Sequence, residues 1–177
     1  MVLMSGQVGC ALEGQEAVNK KWCVVRLSAM GDVVLVTGVL RYWHERYGMR
    51  FVVFTRKGFA SLFENHPAVD DVVSVNDHTG SFGAWVRFGR RAAREYKGWG
   101  LLDLHGTLRS RVLSLLWKGR VRRYPKFGVE RRWLAFAGGK RAKKTLEKLR
   151  SISVPQRYSM AVGGEQPVPG LVKPALY

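Results

Sequence analysis

The chain has 177 residues, of which 46% are hydrophobic and 11% aromatic; this is enough for one domain with a substantial core and excludes an intrinsically disordered chain. Thirty Lys and Arg residues against 13 Asp and Glu residues give a formal net charge of +17, which indicates an anionic partner. The two cysteines, Cys10 and Cys23, have no CxxC spacing, and the four histidines have no metal-ligand spacing, so neither a disulfide framework nor a metal site is expected.

The first half of the chain predicts strands that alternate with helices. Residues 1–20 are small and polar, which predicts an unstructured leader. The apolar run Trp22–Leu27 is typical of a buried strand; Gly31 ends this run and permits a tight turn, and apolar residues then follow at helical spacing up to Gly48. Three further elements are predicted: a strand at Phe51–Thr55, a short helix at Phe59–Phe63 and a strand at Asp71–Val75.

The second half continues the alternation. The predicted elements are an amphipathic helix at Ala84–Lys97, a strand at Trp99–Leu104, a helix from Leu108 to Leu116, a strand at Arg120–Tyr124 and a mostly helical stretch at Val129–Arg150. Alternating strands and helices favour an α/β fold with a Rossmann-like, doubly wound parallel sheet. We expect this domain to span residues 21–160, and the Gly- and Pro-rich residues 161–177 to form a linker.

Nearly all of the positive charge lies in one half of the chain. Residues 1–86 hold 8 basic and 8 acidic side chains, residues 87–150 hold 20 basic and 4 acidic ones, and the tail adds +1. Nucleic acid, an anionic membrane surface and a phosphorylated substrate are all compatible partners. No segment reaches the ~18 apolar residues needed to span a membrane, so we expect a soluble or peripheral protein.

The loop Ser28–Asp32, between the first strand and the first helix, is one candidate site. In open α/β sheets, ligands bind beyond the carboxyl ends of the strands, where helix N-termini present free N–H groups. The glycine-rich fingerprints of dinucleotide and P-loop sites are absent from this loop. Asp32 has two interpretations: an acid that complements the helix dipole, or a catalytic base.

The loop after the fourth strand is a second candidate. The end of this strand brings Asp103 and His105 together, and Arg109 lies one turn into the next helix. These residues are either a cap and a packing residue, or the wall of a site in which Arg109 faces a phosphate or a carboxylate. Arg56, after the second strand, is expected on the same rim.

Three segments carry a resemblance to a known family. They are VVRLSAMGDVVLVTGVLR (24–41), GFASLFENHPAVDDVVSV (58–75) and LLDLHGTLRSRVLSLL (101–116). In this order and spacing, they resemble the N-terminal half of the bacterial ADP-heptose:lipopolysaccharide heptosyltransferases, glycosyltransferase family 9. The resemblance covers about residues 21–160.

The resemblance implies a GT-B fold, in which two Rossmann-like domains face each other across a cleft. This chain would be the N-terminal, acceptor-binding domain, and the C-terminal donor-binding domain would be absent after Tyr177 or encoded separately. Asp32 would be the general base of an inverting transfer. The acceptor-binding residues would be Ser28, Met30, Gly31, Arg56, Asp103, His105, Gly106 and Arg109.

The implied substrates are ADP-heptose as the donor and Kdo-lipid A as the acceptor, in lipopolysaccharide biosynthesis. No metal and no other cofactor is expected. A Kdo-lipid A acceptor lies in a membrane leaflet, so the resemblance implies a cytoplasmic enzyme that is peripheral on the inner face of the inner membrane. The basic residues 87–150 would steer the domain to that anionic surface.

Two other hypotheses remain. The chain can be an acceptor-binding fragment that folds without catalysing transfer. From charge alone it can also be a nucleic-acid-binding domain, but the strand–helix alternation matches no common nucleic-acid reader and the aromatic residues lie mostly in apolar runs, so no nucleic-acid partner is expected.

Overall fold

A five-stranded parallel sheet forms the centre of the protein in a computed structural model, which describes residues 20–75, 81–124 and 154–159 and positions 161, 174 and 176. The spatial order of the strands is β3-β2-β1-β4-β5, and all the neighbouring strands run parallel. The strands are β1 (Lys21–Val25), β2 (Arg50–Arg56), β3 (Val69–Val75), β4 (Gly100–Asp103) and β5 (Val121–Arg123).

Helices cover both faces of this sheet. They are α1 (Met30–Tyr47), a short 3₁₀ helix (Lys57–Phe63), α2 (Phe82–Glu95), α3 (Leu108–Leu116) and α4 (Val154–Ser159). One part of the core joins the sheet to α1, the 3₁₀ helix and α4, and the other joins it to α2 and α3. This arrangement is the Rossmann-like, doubly wound α/β fold that the sequence predicts.

Apolar sequence runs explain why the central strands lie between two helical layers. In β4 every residue is buried, and in β1 every residue after Lys21 is buried. Strands that are covered on both faces need continuous rather than alternating apolar residues. Gly100 is required by this packing, because a Cβ at that position would lie 2.3 Å from the ring of Trp22.

Short-range hydrogen bonds set where the helices begin and end. Ser81 accepts a hydrogen bond from the N–H of Ala84 at 3.2 Å and caps the start of α2. Gly48 ends α1 in the left-handed conformation, with φ of 64°, and its N–H donates to His44. At the start of α3, the N–H of Thr107 donates to Oγ of Ser110 at 2.9 Å.

The predicted elements are found within about two residues of their expected bounds, with one difference in the first loop. The tight turn expected at Gly31 is wrong: Gly31 lies inside the first turn of α1, which already begins at Met30. Apart from Lys20, the predicted leader lies outside the described residues, as do the helical stretch at Val129–Arg150 and nearly all of the predicted linker.

Candidate functional site

The carboxyl edge of the sheet around β1 is the candidate site. β1 lies between β2 and β4, so the loops that follow these three strands meet at one edge, as the sequence predicts. The chain passes from β1 to β2 on one side, and β4 lies on the other side of β1. This is the point where the strand order reverses, and open α/β sheets bind their ligands in the crevice at such a point.

An ion pair between Arg26 and Asp32 occupies this point. Arg26 is the first residue after β1, and its guanidinium donates a hydrogen bond to Oδ2 of Asp32 in the first turn of α1. The Arg26 side chain is only 6% exposed, whereas that of Asp32 is 37% exposed. Among the described residues, no second hydrogen bond reaches the Asp32 carboxylate. The arginine of this ion pair is therefore buried in the protein, whereas the carboxylate is partly exposed to solvent.

Arg26 also joins three strands through hydrogen bonds. Its guanidinium donates to the main-chain oxygen of Leu104, directly after β4. Its own N–H donates to Phe54 at 3.1 Å, and its carbonyl accepts from Oγ1 of Thr55 at 2.9 Å. Buried polar groups without such partners cost about 1–3 kcal/mol each. Arg26 is thus held from both sides, its main chain by β2 and its side chain by the residue that follows β4.

Two tyrosines complete the surroundings of Arg26. Its guanidinium carbon lies 5.5 Å from the ring centre of Tyr158 in α4, and the Tyr158 ring packs edge-on against Tyr124 at 5.0 Å. Burial raises the pKa of both Tyr158 and Tyr124. The positive charge of the nearby Arg26 acts in the opposite direction on the pKa of Tyr124 but is the smaller effect. Both hydroxyls therefore stay protonated at neutral pH. The guanidinium is held against aromatic surface, which suits a weakly hydrated cation.

Asp103 organises the loop after β4. Its Oδ1 accepts hydrogen bonds from the N–H groups of His105, at 3.0 Å, and Gly106, at 2.7 Å. Its other oxygen lies 3.7 Å from Nε of Arg123, and the carboxylate is fully buried. The buried Asp103 carboxylate thus orders the loop after β4, and the acceptor-binding role that the resemblance implies for it stays a prediction.

The remaining predicted site residues lie at the ends of β1, β2 and β4 or directly after them, at the same edge of the sheet. Met30, Gly31, Arg56 and Arg109 are exposed, and Ser28, His105 and Gly106 are partly buried. Arg109 is held through its main chain, since its carbonyl accepts a 2.7 Å hydrogen bond from Nε1 of Trp85. At Gly31, an added Cβ would meet no heavy atom within 4 Å, so the space above this residue is open.

Sequence reasoning missed Arg26, Tyr124 and Tyr158. A signal existed for Arg26, because it is the one charged residue in the apolar run Trp22–Leu27. A charge in such a run is tolerated only with partners, so its presence predicts a buried ion pair. No signal existed for the tyrosines, whose place beside Arg26 depends on the folding of distant parts of the chain.

Two other classes of feature are absent from the part of the chain that the structure describes. Within residues 20–75, 81–124 and 154–159, no group of three His, Cys, Asp or Glu side chains has the geometry to hold a metal ion. In these same ranges, no helix is both long enough and apolar enough to cross a membrane.

The fold is that of one Rossmann-like domain of the GT-B glycosyltransferases. WaaC, a heptosyltransferase of E. coli solved with ADP, matches 84% of this chain and 49% of its own length, with 20% identity and a TM-score of 0.56. The ADP-heptose LPS heptosyltransferase II of E. coli matches 89% of this chain and 46% of its own length, with 17% identity and a TM-score of 0.58.

A glycosyl transferase of family 9 from Veillonella parvula is also similar, with 16% identity, a TM-score of 0.54 and coverage of 85% of this chain and 46% of its own. The chain thus spans about half the length of the structures that it matches. No protein-family model matches the chain, and no curated protein does. At these identities, the likeness establishes the fold alone.

Proposed function

We propose that this chain is the acceptor-binding half of an inverting heptosyltransferase, which transfers heptose from ADP-heptose to Kdo-lipid A in lipopolysaccharide biosynthesis. One observation carries the proposal: a half-exposed carboxylate, Asp32, is oriented by a buried arginine at the point where the strand order reverses. The fold that supplies this point is shared with solved heptosyltransferases.

The chemistry requires a base at this position. A sugar hydroxyl is too weak an acid to attack unaided at neutral pH, and a carboxylate within ~3 Å can take its proton as the new bond forms. Direct displacement with inversion needs one such base and no covalent nucleophile. In the proposal, Arg26 holds Oδ2 of Asp32, which leaves the other oxygen to accept the proton.

The residues around Asp32 suit an anionic sugar acceptor. Arg56 and Arg109 are exposed at the same edge and would face its phosphates or carboxylates. The open space above Gly31 would admit the sugar close to the start of α1, where main-chain N–H groups favour negative charge. Ser28, Met30, His105 and Gly106 would line the same pocket.

The donor is assigned to a second domain. The chain covers only 46–49% of the length of the solved structures described above. The proposal therefore places ADP-heptose binding in a half that these 177 residues do not contain. A separately encoded partner is one source of that half. The acceptor lies in a membrane leaflet, which places the proposed enzyme in the cytoplasm, on the inner face of the inner membrane.

The test measures acceptor binding and heptose transfer separately. The purified chain is titrated with Kdo-lipid A in detergent and is then assayed with radiolabelled ADP-heptose in the presence of a donor-binding half supplied as a second polypeptide, beside Asp32→Asn. Asparagine retains an oxygen that can accept the Arg26 hydrogen bond, so the fold and acceptor binding should persist while transfer falls by at least ~100-fold. The matched control is Asp70→Asn, an aspartate that is also paired with an arginine but lies at the start of β3, near the opposite edge of the sheet.

Each outcome has a distinct meaning. Transfer that is lost in Asp32→Asn and kept in Asp70→Asn would support the base. Acceptor binding without any transfer, with the donor-binding half present, would support the simpler alternative, an acceptor-binding fragment that does not catalyse transfer. Failure to bind Kdo-lipid A, with tighter binding to duplex DNA under the same salt conditions, would overturn the proposal in favour of the nucleic-acid hypothesis.

A further inference from the structure

The helical layers on the two faces of the sheet differ sharply in charge. In one layer, α2 carries four arginines against a single glutamate, and α3 carries two arginines and no acidic residue. In the other layer, α1 carries two basic and two acidic side chains, the 3₁₀ helix adds one lysine and α4 adds one arginine. Among these helices, most of the net positive charge therefore lies on the α2–α3 face.

The arginines of α2 form one exposed stripe. Arg87, Arg90, Arg91 and Arg94 follow helical spacing, and all four are exposed and line an open groove on the surface. The buried residues of α2, among them Trp85 and Ala92, face the sheet instead. Among the described residues, only Arg91 has an acidic partner within ion-pair distance, Glu95 at 3.8 Å. Within the part of the chain that the structure describes, most of this charge is thus not neutralised by acidic side chains.

Apolar side chains are exposed beside this stripe. Phe82, the first residue of α2, is 62% exposed, and on α3 Leu108 is 72% and Leu115 81% exposed. Leu108, Arg111 and Leu115 lie at helical spacing on the outer side of α3. The two helices are in close contact, because a Cβ at Gly89 would lie 2.8 Å from the side chain of Leu116. The cationic and apolar stripes are therefore neighbours.

We propose that the α2–α3 face is a docking surface for an anionic phospholipid bilayer. Helices that lie in a membrane interface combine basic side chains, which attract anionic headgroups, with Phe and Leu side chains that enter the acyl boundary. Each basic side chain near an anionic membrane contributes about 1 kcal/mol. Charge alone would also suit nucleic acid, but exposed leucines have no role in binding phosphate backbones, whereas a bilayer accommodates both.

This inference is independent of the proposed transfer reaction. None of the α2 arginines, and neither Phe82 nor Leu115, belongs to the candidate site around Asp32. Docking through this face requires no nucleotide sugar and no acceptor, so vesicle binding can succeed or fail whatever the enzyme assay shows. If both proposals hold, the face would keep the crevice near a lipid-anchored acceptor.

The test is cosedimentation of the full chain with vesicles of phosphatidylcholine alone and with about 30% phosphatidylglycerol. One variant replaces the four α2 arginines with glutamine, which keeps helix propensity. The matched control removes the same charge elsewhere, through Lys20→Gln, Arg41→Gln, Arg46→Gln and Lys57→Gln, all of them exposed positions outside α2 and α3. A third variant, Leu115→Ser, leaves the charge unchanged.

The four α2 arginines should account for most of the binding to anionic vesicles. Their loss is expected to lower the partition coefficient on the order of 100- to 1,000-fold, whereas the control should lower it less than about fivefold. Leu115→Ser should weaken binding severalfold, and the loss should persist at high salt, where the ionic part is screened. Urea unfolding of each variant verifies that the fold is intact.

Three results would overturn the inference. Equal losses in the two quadruple variants would show that net charge, and not this face, drives binding. Equal binding to neutral and anionic vesicles would remove the electrostatic argument. Tighter binding to duplex DNA than to anionic vesicles, unaffected by Leu115→Ser, would assign the face to nucleic acid.

Discussion

Arg26→Met should destabilise the protein more than the loss of any surface arginine. Methionine approximates the length and the apolar stem of arginine but lacks the guanidinium that joins Asp32 to the carbonyl of Leu104. The perturbation therefore removes the hydrogen bonds and the charge while keeping most of the packing against Tyr158.

The magnitude follows from what is left without a partner. Leu104 is fully buried, so its carbonyl oxygen is left without the hydrogen bond from Arg26, and this loss costs about 1–3 kcal/mol. The carboxylate of Asp32 is 37% exposed, so water replaces part of the lost interaction, and this pair adds at most about 1 kcal/mol. The expected decrease in the free energy of unfolding is therefore about 1–4 kcal/mol, compared with the total of about 5–15 kcal/mol of a typical domain.

The assay is equilibrium unfolding in urea, followed by tryptophan fluorescence and circular dichroism. For a slope of about 2 kcal/mol per molar urea, the midpoint should fall by about 0.5–2 M. The matched control is Arg41→Met, which breaks a 2.7 Å pair with Glu45 on the surface of α1 and should cost less than about 0.5 kcal/mol. Equal midpoints for the two variants would refute the reasoning that Arg26 connects the strands beneath the site.

Two further predictions concern Gly31 and His66. The space beside Gly31 is open and its conformation is helical, so Gly31→Ala should raise the free energy of unfolding by up to about 1 kcal/mol. The added methyl group should nevertheless weaken Kdo-lipid A binding, because it fills space that the acceptor would occupy. Unchanged binding in calorimetry would remove this position from the site. Burial lowers the pKa of His66 below its ordinary 6.5, because it disfavours the charged imidazolium, and the nearby His44 and Arg41 act in the same direction. The His66 imidazole thus binds a proton more readily in the unfolded chain than in the folded one. Its contribution to the free energy of unfolding is complete above pH 6.5, and this free energy should fall by at most about 1.4 kcal/mol per pH unit below pH 6.5. A fall of the same steepness in His66→Asn would contradict this prediction.

The strands and helices were predictable because each is encoded by neighbouring residues. The apolar runs of β1 and β4 have no alternation, which is the pattern of strands buried on both faces, and the helices show apolar residues at helical spacing. The position of Asp32 at a strand–helix junction could be predicted from the sequence in the same way. Gly31 was misjudged because glycine is compatible with a helix start as well as with a turn.

The sequence by itself determined the α/β alternation, the separation of a neutral first part from a basic second part, and the strand–helix junctions at which Asp32 and Arg109 lie. Only the tertiary structure decided that Arg26 orients Asp32, that Asp103 is buried, and that the positive charge of α2 and α3 lies on one face of the sheet. Periodicity is a property of consecutive residues. The partners of Arg26 are not consecutive: Leu104 lies 78 positions away, and the order of the strands alone brings it within reach.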